Sequence, residues 1–267
     1  MAENVENKEM VRAVERALNI LEELAKNQGY PKGITELATS LGLGKTTVHR
    51  LLKTLGSKGY VNKAEDSDKY RLGLKVMELG GVVARNLELR SQAAQIIKQL
   101  AADTGQTVHL AVQANGEVVY IEKVESKGGI KMASFVGQRS YLHSTGLGKA
   151  ICAFLPAEEV EVYLKEKGMP QRTSQTIVSW QEFKDHMAQI RARGYAIDNV
   201  ENEESIRCVA APVFDHDGKV IAAISVAGTV LQVTHDRVES LARQVLSAAA
   251  EVSQRMGYRA GTYRIGC

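Results

Sequence analysis

Residues 34–61 read ITELATSLGLGKTTVHRLLKTLGSKGYV, and the spacing of apolar residues in this stretch decides the N-terminal fold. Ile34, Leu37, Ala38 and Leu41 recur at helical spacing and predict a short helix. Gly42-Leu43-Gly44 breaks it as a tight turn. A second helix follows from about Lys45 to Ser57, with Val48, Leu51, Leu52 and Leu55 as its apolar face. Two short helices joined by a glycine-containing turn are the sequence form of a helix-turn-helix. Working outward, Val11, Val14, Leu18, Leu21 and Leu24 predict an earlier helix over about Val11–Asn27, broken by the Gln28–Gly33 stretch. On the other side, Gly59–Lys63 and Lys69–Leu72 read as strands around the polar tip Ala64–Asp68, which makes a wing.

The outer face of the second helix carries the chemistry. Thr46, Arg50 and Lys53 lie opposite the apolar stripe, Thr47 and His49 flank it, and Lys45 stands at its start. No acid occurs between Glu36 and Glu65, yet Lys45, Arg50, Lys53, Lys58 and Lys63 do. A surface of one sign suits a polyanion, because each neutralised phosphate releases counterions. An arginine can take guanine edges bidentately, and threonine hydroxyls reach phosphates or bases. On the wing, Lys69 and Arg71 are candidates for backbone phosphates. The same pattern also fits a basic surface helix with no partner.

Beyond the wing the chain reads as helical from about Leu74 to Ala102, with a bend or close packing expected at Gly80-Gly81. We expect a DNA-binding domain over residues 1–73, a linker helix over 74–90 and a second domain over 91–267. In that domain Val108, Leu110 and Val112 alternate, Asn115-Gly116 signals a hairpin, and Val118–Ile121 returns. A further strand is expected over Ile130–Val136. Helices are expected at Leu147–Leu155, Ala157–Lys167 and Trp180–Arg193, the last with Ser179 and Glu182 at capping-box spacing. Strands follow at Tyr195–Asn199, Cys208–Phe214 and Val220–Ala227, then a helix capped by Thr234 and reaching Met256. Strands mixed with helices indicate one α/β domain, and the whole chain reads as α+β.

Composition is consistent with two ordinary domains. The 267 residues are 44% hydrophobic and 5% aromatic, with a formal net charge of +3. Cys152, Cys208 and Cys267 form no CxxC pair, so a reducing compartment is expected rather than a disulfide framework. The start, MAENVENKEM, lacks the apolar stretch of a secretory leader, and no window reaches 18 apolar residues. A cytoplasmic protein away from the membrane is the expectation.

Ser144-Thr145-Gly146-Leu147-Gly148-Lys149 stands at a loop-to-helix junction, where free N–H groups suit an anion such as a carboxylate. Glycine needed only for packing is the alternative. The stretch is not a nucleotide-binding Walker loop, since Ala150 replaces the Ser/Thr and His143 the first glycine. Gly44-Lys45-Thr46 fails the same test, with Thr39 at the first glycine position. Asp198 and Cys208 fall on neighbouring expected strands, and Ser225 on the last one. His143, Asp198 and Cys208 could converge on a metal, although their spacing has no compact ligand pair. A Cys208 nucleophile assisted by His143 is the enzymatic alternative, without a local catalytic signature. His109, on an alternating strand, reads as a satisfied half-buried residue. No enzyme activity and no cofactor are expected.

Three stretches resemble the IclR family of transcriptional regulators: ITELATSLGLGKTTVHRLLKTLGSKGYV with its wing KYRLG, the mid-chain FVGQRSYLHSTGLGKAICAFL, and GYAIDNVENEESIRCVAAPVFDHDGKVIAAISVAG. Together they span nearly the whole chain. The third stretch also resembles regulators of sugar-acid and aromatic-acid catabolism in that family. The resemblance implies an N-terminal winged helix-turn-helix, a linker helix and a C-terminal GAF-like effector domain. It implies dimers that often pair into tetramers, a double-stranded palindromic operator, and repression of a catabolic operon controlled by a small carboxylate or sugar acid. It places Asp198, Cys208 and Ser225 in an effector pocket, with Gly146 and Leu147 opposite. Ala227 falls where some members carry serine, which makes this pocket less polar. Gly44 stands where the family often has proline, so this helix start is less rigid.

Overall fold

The computed structural model describes residues 11–26, 30–65, 67–86, 88–125 and 132–259. The chain divides after Asn86 into two compact units.

In the first unit, helix α1 (Arg12–Ala25) precedes strand β1 (Lys32–Gly33), α2 (Ile34–Leu41) and α3 (Lys45–Ser57). Strands β2 (Val61–Lys63) and β3 (Lys69–Leu72) form the wing, and α4 (Leu74–Asn86) closes the unit. Gly42 ends α2 in the left-handed region at φ 62°, a conformation that costs glycine nothing. The Leu43 amide then donates to the Ala38 carbonyl, 3.0 Å. At the other end of α2, the Glu36 carboxylate accepts the Gly33 amide, 2.7 Å. Ile20, Leu24, Leu37, Val48, Leu52 and Val61 make the core. The wing gains a third strand the sequence does not announce, because β1 pairs with β3 to give the order β1-β3-β2. Glu23 receives Lys26 at 2.7 Å and Lys32 at 2.6 Å, and these hydrogen bonds hold its carboxyl down at about 2. The α1 stripe behaves differently from expectation. Only Ile20, Glu23 and Leu24 are buried, while Val11, Val14 and Leu18 are exposed.

The second unit begins with α5 (Glu88–Thr104). The helical stretch expected over Leu74–Ala102 is met by α4 and α5 on either side of residue 87, which lies outside the described residues. Strands β4 (Thr107–Ala114) and β5 (Glu117–Val124) form the hairpin signalled by Asn115-Gly116, both at positive φ. Then come β6 (Arg139–Tyr141), α6 (Gly146–Cys152), α7 (Ala157–Lys167) and α8 (Trp180–Arg193). Strands β7 (Ala196–Asn199), β8 (Ile206–Phe214) and β9 (Val220–Thr229) follow. A 3₁₀ turn (His235–Arg237) and α9 (Val238–Arg255) end the unit. The sheet is antiparallel, in the order β6-β5-β4-β9-β8-β7.

Because strand residues alternate between faces, this sheet feeds two cores. Val209, Val213, Ile224 and Val226 pack with α5 and α9 on one face. Ala210 and Ala223 pack with Leu147, Ile151, Val160, Phe183 and Met187 from α6, α7 and α8 on the other. Helices on both faces of an antiparallel sheet give this second unit its α/β architecture, as expected. Among the described residues no helix is long and apolar enough to cross a membrane.

Three local expectations are corrected. The strand over Ile130–Val136 lies partly outside the described residues, and 132–136 are not strand. The edge strand is β6, a few residues later. Ser179 occupies the N-cap of α8 without a side-chain cap bond, so Ser179 and Glu182 form no capping box. Thr234 likewise caps with no side-chain bond, and a 3₁₀ turn intervenes before α9.

Candidate functional sites

The first candidate is the outer face of α3. Val48 and Leu52 anchor the helix, which fixes what faces outward: Lys45, Thr46, His49, Arg50 and Lys53 are exposed and Thr47 is half-buried. Among the described residues the ion pairs of this unit join Glu23 to Lys26 and Lys32, Asp68 to Lys63, Glu36 to Lys69 and Glu78 to Lys75. Lys45, Arg50 and Lys53 therefore have no acidic partner there. On the wing, Lys69 and Arg71 are exposed. Lys69 is partly compensated by Glu36 at 3.7 Å, an exposed pair of little strength.

The second candidate is a cavity of about 90 Å³ in the second unit, on the α6 face of the sheet. Register explains how it forms. Asp198 pairs across to Cys208 and Cys208 to Ala227, which puts one row on β7, β8 and β9. Ser225, two residues before Ala227 and so on the same face, pairs with His109 on β4. Opposite this row stands the first turn of α6, with Gly146 and Leu147. All six residues that the sequence nominates, Gly146, Leu147, Asp198, Cys208, Ser225 and Ala227, thus line one cavity.

Helix α6 is placed by its own start. Thr145 Oγ1 accepts the Gly148 amide at 3.0 Å and donates to the Tyr141 carbonyl at 2.7 Å. A Cβ on Gly148 would overlap the Leu142 backbone, so glycine is required there by space. Gly146 has ordinary room, since its Cβ would stand 3.5 Å from the Cβ atoms of Ala210 and Cys208.

The cavity's electrostatics centre on Asp198. Its Oδ1 accepts the amides of Glu201 (2.7 Å) and Asn202 (3.3 Å). Burial nevertheless pushes the carboxyl up to about 7, against the opposing pull of Lys149 and with a further push from Glu201. Burial also pushes the Cys208 thiol up, reinforced by Asp198, so the sulfur stays protonated. Lys149 is fully buried and ion-paired with Glu201.

The sequence missed several lining residues. His109 Nε2 is hydrogen-bonded with Ser134 Oγ at 2.8 Å, and burial pushes the imidazole down to about 3. His109 is thus satisfied, as expected, but fully buried and part of the wall. Tyr120, Gln138, Ser140, Asn202 and Glu203 complete the polar lining. Hairpin alternation could have flagged Tyr120. The loop residues carried no periodic signal.

His143 does not join the cavity. Its Nε2 meets the Pro170 carbonyl at 3.1 Å. Among the described residues no group of three or more His, Cys, Asp or Glu is placed to hold a metal ion, so the His143–Asp198–Cys208 set is not assembled. The same placement leaves Cys208 without the His143 base that the enzymatic alternative needs.

Comparison with known proteins agrees with both units. A family model for the IclR helix-turn-helix domain matches residues 13–65, and one for the bacterial transcriptional regulator IclR C-terminal domain matches residues 81–254. The chain is 37% identical over 251 residues to the HTH-type transcriptional regulator XynR of Escherichia coli (strain K12), covering 94% of this chain and 99% of that protein. It is 33% identical over 249 residues to the Transcriptional repressor IclR of the same organism, covering 92% and 90%. The solved Thermotoga maritima IclR is 34% identical with a TM-score of 0.75, covering 92% of this chain and 99% of that one.

Proposed function

The chain belongs to the IclR family of transcriptional regulators, and from that premise we propose that it represses a catabolic operon under control of a small organic acid. The N-terminal unit binds double-stranded operator DNA, with Lys45, Thr46, Thr47, His49, Arg50 and Lys53 on α3 and Lys69 and Arg71 on the wing. Arg50 is the base-reading candidate, and the lysines neutralise phosphates. Homodimers or tetramers, in the cytoplasm, would match two such heads to a palindromic site. The similarity to the E. coli Transcriptional repressor IclR supports repression.

The observation that carries the effector assignment is the row Asp198, Cys208, Ala227 and Ser225 facing Gly146 and Leu147 across one cavity. Cys208 fills space, while the Ser225 hydroxyl and the backbone at Gly146 and Leu147 offer hydrogen bonds to an acid. With its midpoint at about 7, Asp198 carries a proton on part of the molecules at neutral pH. In that form it donates to a carboxylate instead of repelling it. Ser134, Gln138, Ser140 and Asn202 add groups suited to hydroxyls, which favours a hydroxy acid or sugar acid. A homologue from Microbacterium hydrocarbonoxydans was solved in complex with 4-hydroxybenzoate, so that acid belongs among the probes. Effector and operator affinities are linked reciprocally through the two units.

A gel shift with DNA upstream of the gene, at moderate salt, tests the DNA half of this proposal. Absence of sequence-specific retardation would sink it. Thermal-shift screening against small hydroxy acids, sugar acids and 4-hydroxybenzoate tests the other half, since a ligand of the native state raises the melting temperature. Turnover of any such compound would instead favour an enzyme.

A further inference from the structure

The effector reading accounts for Asp198 but not for the two charges buried behind it. Lys149 is among the largest fully buried side chains of the described residues, and its ammonium is ion-paired with Glu201 Oε1. Burying two ions is costly, and removing one partner leaves the other uncompensated. The pair joins two elements that contribute opposite walls of the cavity. Lys149 belongs to α6, whose first turn supplies Gly146 and Leu147. Glu201 belongs to the β7–β8 turn, which follows Asp198 at the end of β7 and supplies Asn202 and Glu203.

That turn is held against its own backbone. Val200 sits at φ 63°, an outlier for a β-branched residue, which persists only where surrounding bonds impose it. The bonds are present. The Val200 carbonyl accepts Thr173 Oγ1 at 2.6 Å, and the Glu201 carbonyl accepts Thr176 Oγ1 at 2.6 Å. Glu201 Oε1 accepts the Asn199 amide at 3.2 Å as well as Lys149. The Glu201 and Asn202 amides converge on Asp198, and Ser144 Oγ, just before α6, donates to Asn202 Oδ1 at 2.9 Å. Glu201 Oε2 is buried with no hydrogen-bond partner among the described residues, so the carboxylate is fixed through one oxygen.

We propose that Lys149 and Glu201 are positioning residues of the cavity: their buried ion pair ties α6 to the strained β7–β8 turn and so fixes the spacing of the two walls that a ligand must bridge. The proposal rests on the effector reading for its purpose, but not for its test. Neither residue lines the cavity among the described residues; both act through Asp198, Asn202 and Gly146. The charged and titratable groups around Asp198 are Lys149 from α6, Glu201 and Glu203 from the turn, the Cys208 thiol from β8 and the Tyr120 phenol from β5.

The test uses the full chain and the variants Lys149→Met, Glu201→Gln and the double variant, which loses both charges together. Amide exchange read by mass spectrometry should accelerate at least ten-fold in peptides covering 143–149 and 197–204 of the double variant. Peptides of α9 should be unchanged. Wild-type protection of 197–204 overturns the proposal. A carbon-13 titration of the Asp198 carboxyl reads whether both charges stand beside the cavity wall. Loss of the Lys149 cation should raise the midpoint, and loss of the Glu201 anion should lower it. Shifts in the same direction overturn the proposal. If Lys149→Met does not fold, the midpoint of the double variant must lie above that of Glu201→Gln. Calorimetry with D-gluconate as probe should show at least ten-fold weaker binding to the double variant. If the wild type itself does not bind D-gluconate, the sugar-acid reading fails for that compound, while exchange and titration still decide the latch.

Discussion

Replacing Asp198 by Asn should change how the stability of the second unit depends on pH, in a direction fixed by its burial. The carboxyl is 2% exposed, and its midpoint rises from 3.8 to about 7 on folding. Below pH 3.8 both states keep the proton and the group contributes nothing. Between 3.8 and about 7 the unfolded chain releases the proton while the folded one holds it, so stability falls as pH rises. At about 1.4 kcal/mol for each pH unit, the cost reaches on the order of 4 kcal/mol above neutrality. Asparagine cannot ionise, yet its carbonyl oxygen still accepts the Glu201 amide, so the variant should lack this decline. Two histidines of this unit, one buried and one half-buried, tilt the other way. His109 is pushed down to about 3 and His186 to about 4, so both cost stability as pH falls below 6.5. Wild type and variant share that term, and it cancels in their difference. Trp180, the single tryptophan, lies on α8 of this unit and reports its urea unfolding by fluorescence. Measured from pH 4.5 to 8, the advantage of the variant should grow with pH and level off above about 7. A difference that stays flat would refute the assignment of a buried, proton-holding Asp198.

Three further outcomes are expected. Arg50→Ala should weaken operator binding by roughly 1–3 kcal/mol, about 5- to 150-fold, in a gel shift; unchanged affinity would remove Arg50 from base reading. Gly148→Ala should lower the urea midpoint of Trp180 fluorescence by the equivalent of at least ~1–3 kcal/mol, because the added methyl meets the Leu142 backbone. Phe183, fully buried among α6, α7 and α8, should cost about 3–5 kcal/mol on truncation to alanine, read by the same fluorescence.

Local periodicity made much of this architecture legible. The helices Lys45–Ser57, Ala157–Lys167 and Trp180–Arg193 fall where the spacing puts them, because an apolar stripe ends at a glycine, a proline or a polar break. The cavity row was legible only through family resemblance. Asp198 and Ser225 are far apart in sequence, and register alone brings them together. What escaped was non-local. Strand β1 has two residues and no pattern of its own, and it exists because β3 offers an edge. The Lys149–Glu201 pair spans 52 residues, and nothing in a lysine after Gly148 signals that it will be buried. Similarly, the spacing of Val11, Val14 and Leu18 marks a helix but not which side of that helix its own unit covers.

Strand β9 serves two masters. Ser225 looks into the cavity, while its neighbours Ile224 and Val226 are clamped between α5 and α9. A plank wedged on both sides cannot yield on one alone, and a close-packed interior has little slack to absorb the push. Any molecule that forces Ser225 outward must therefore disturb the seating of α5. Reporter groups on α5 or α9, remote from the cavity, should sense its filling as readily as groups placed at its mouth.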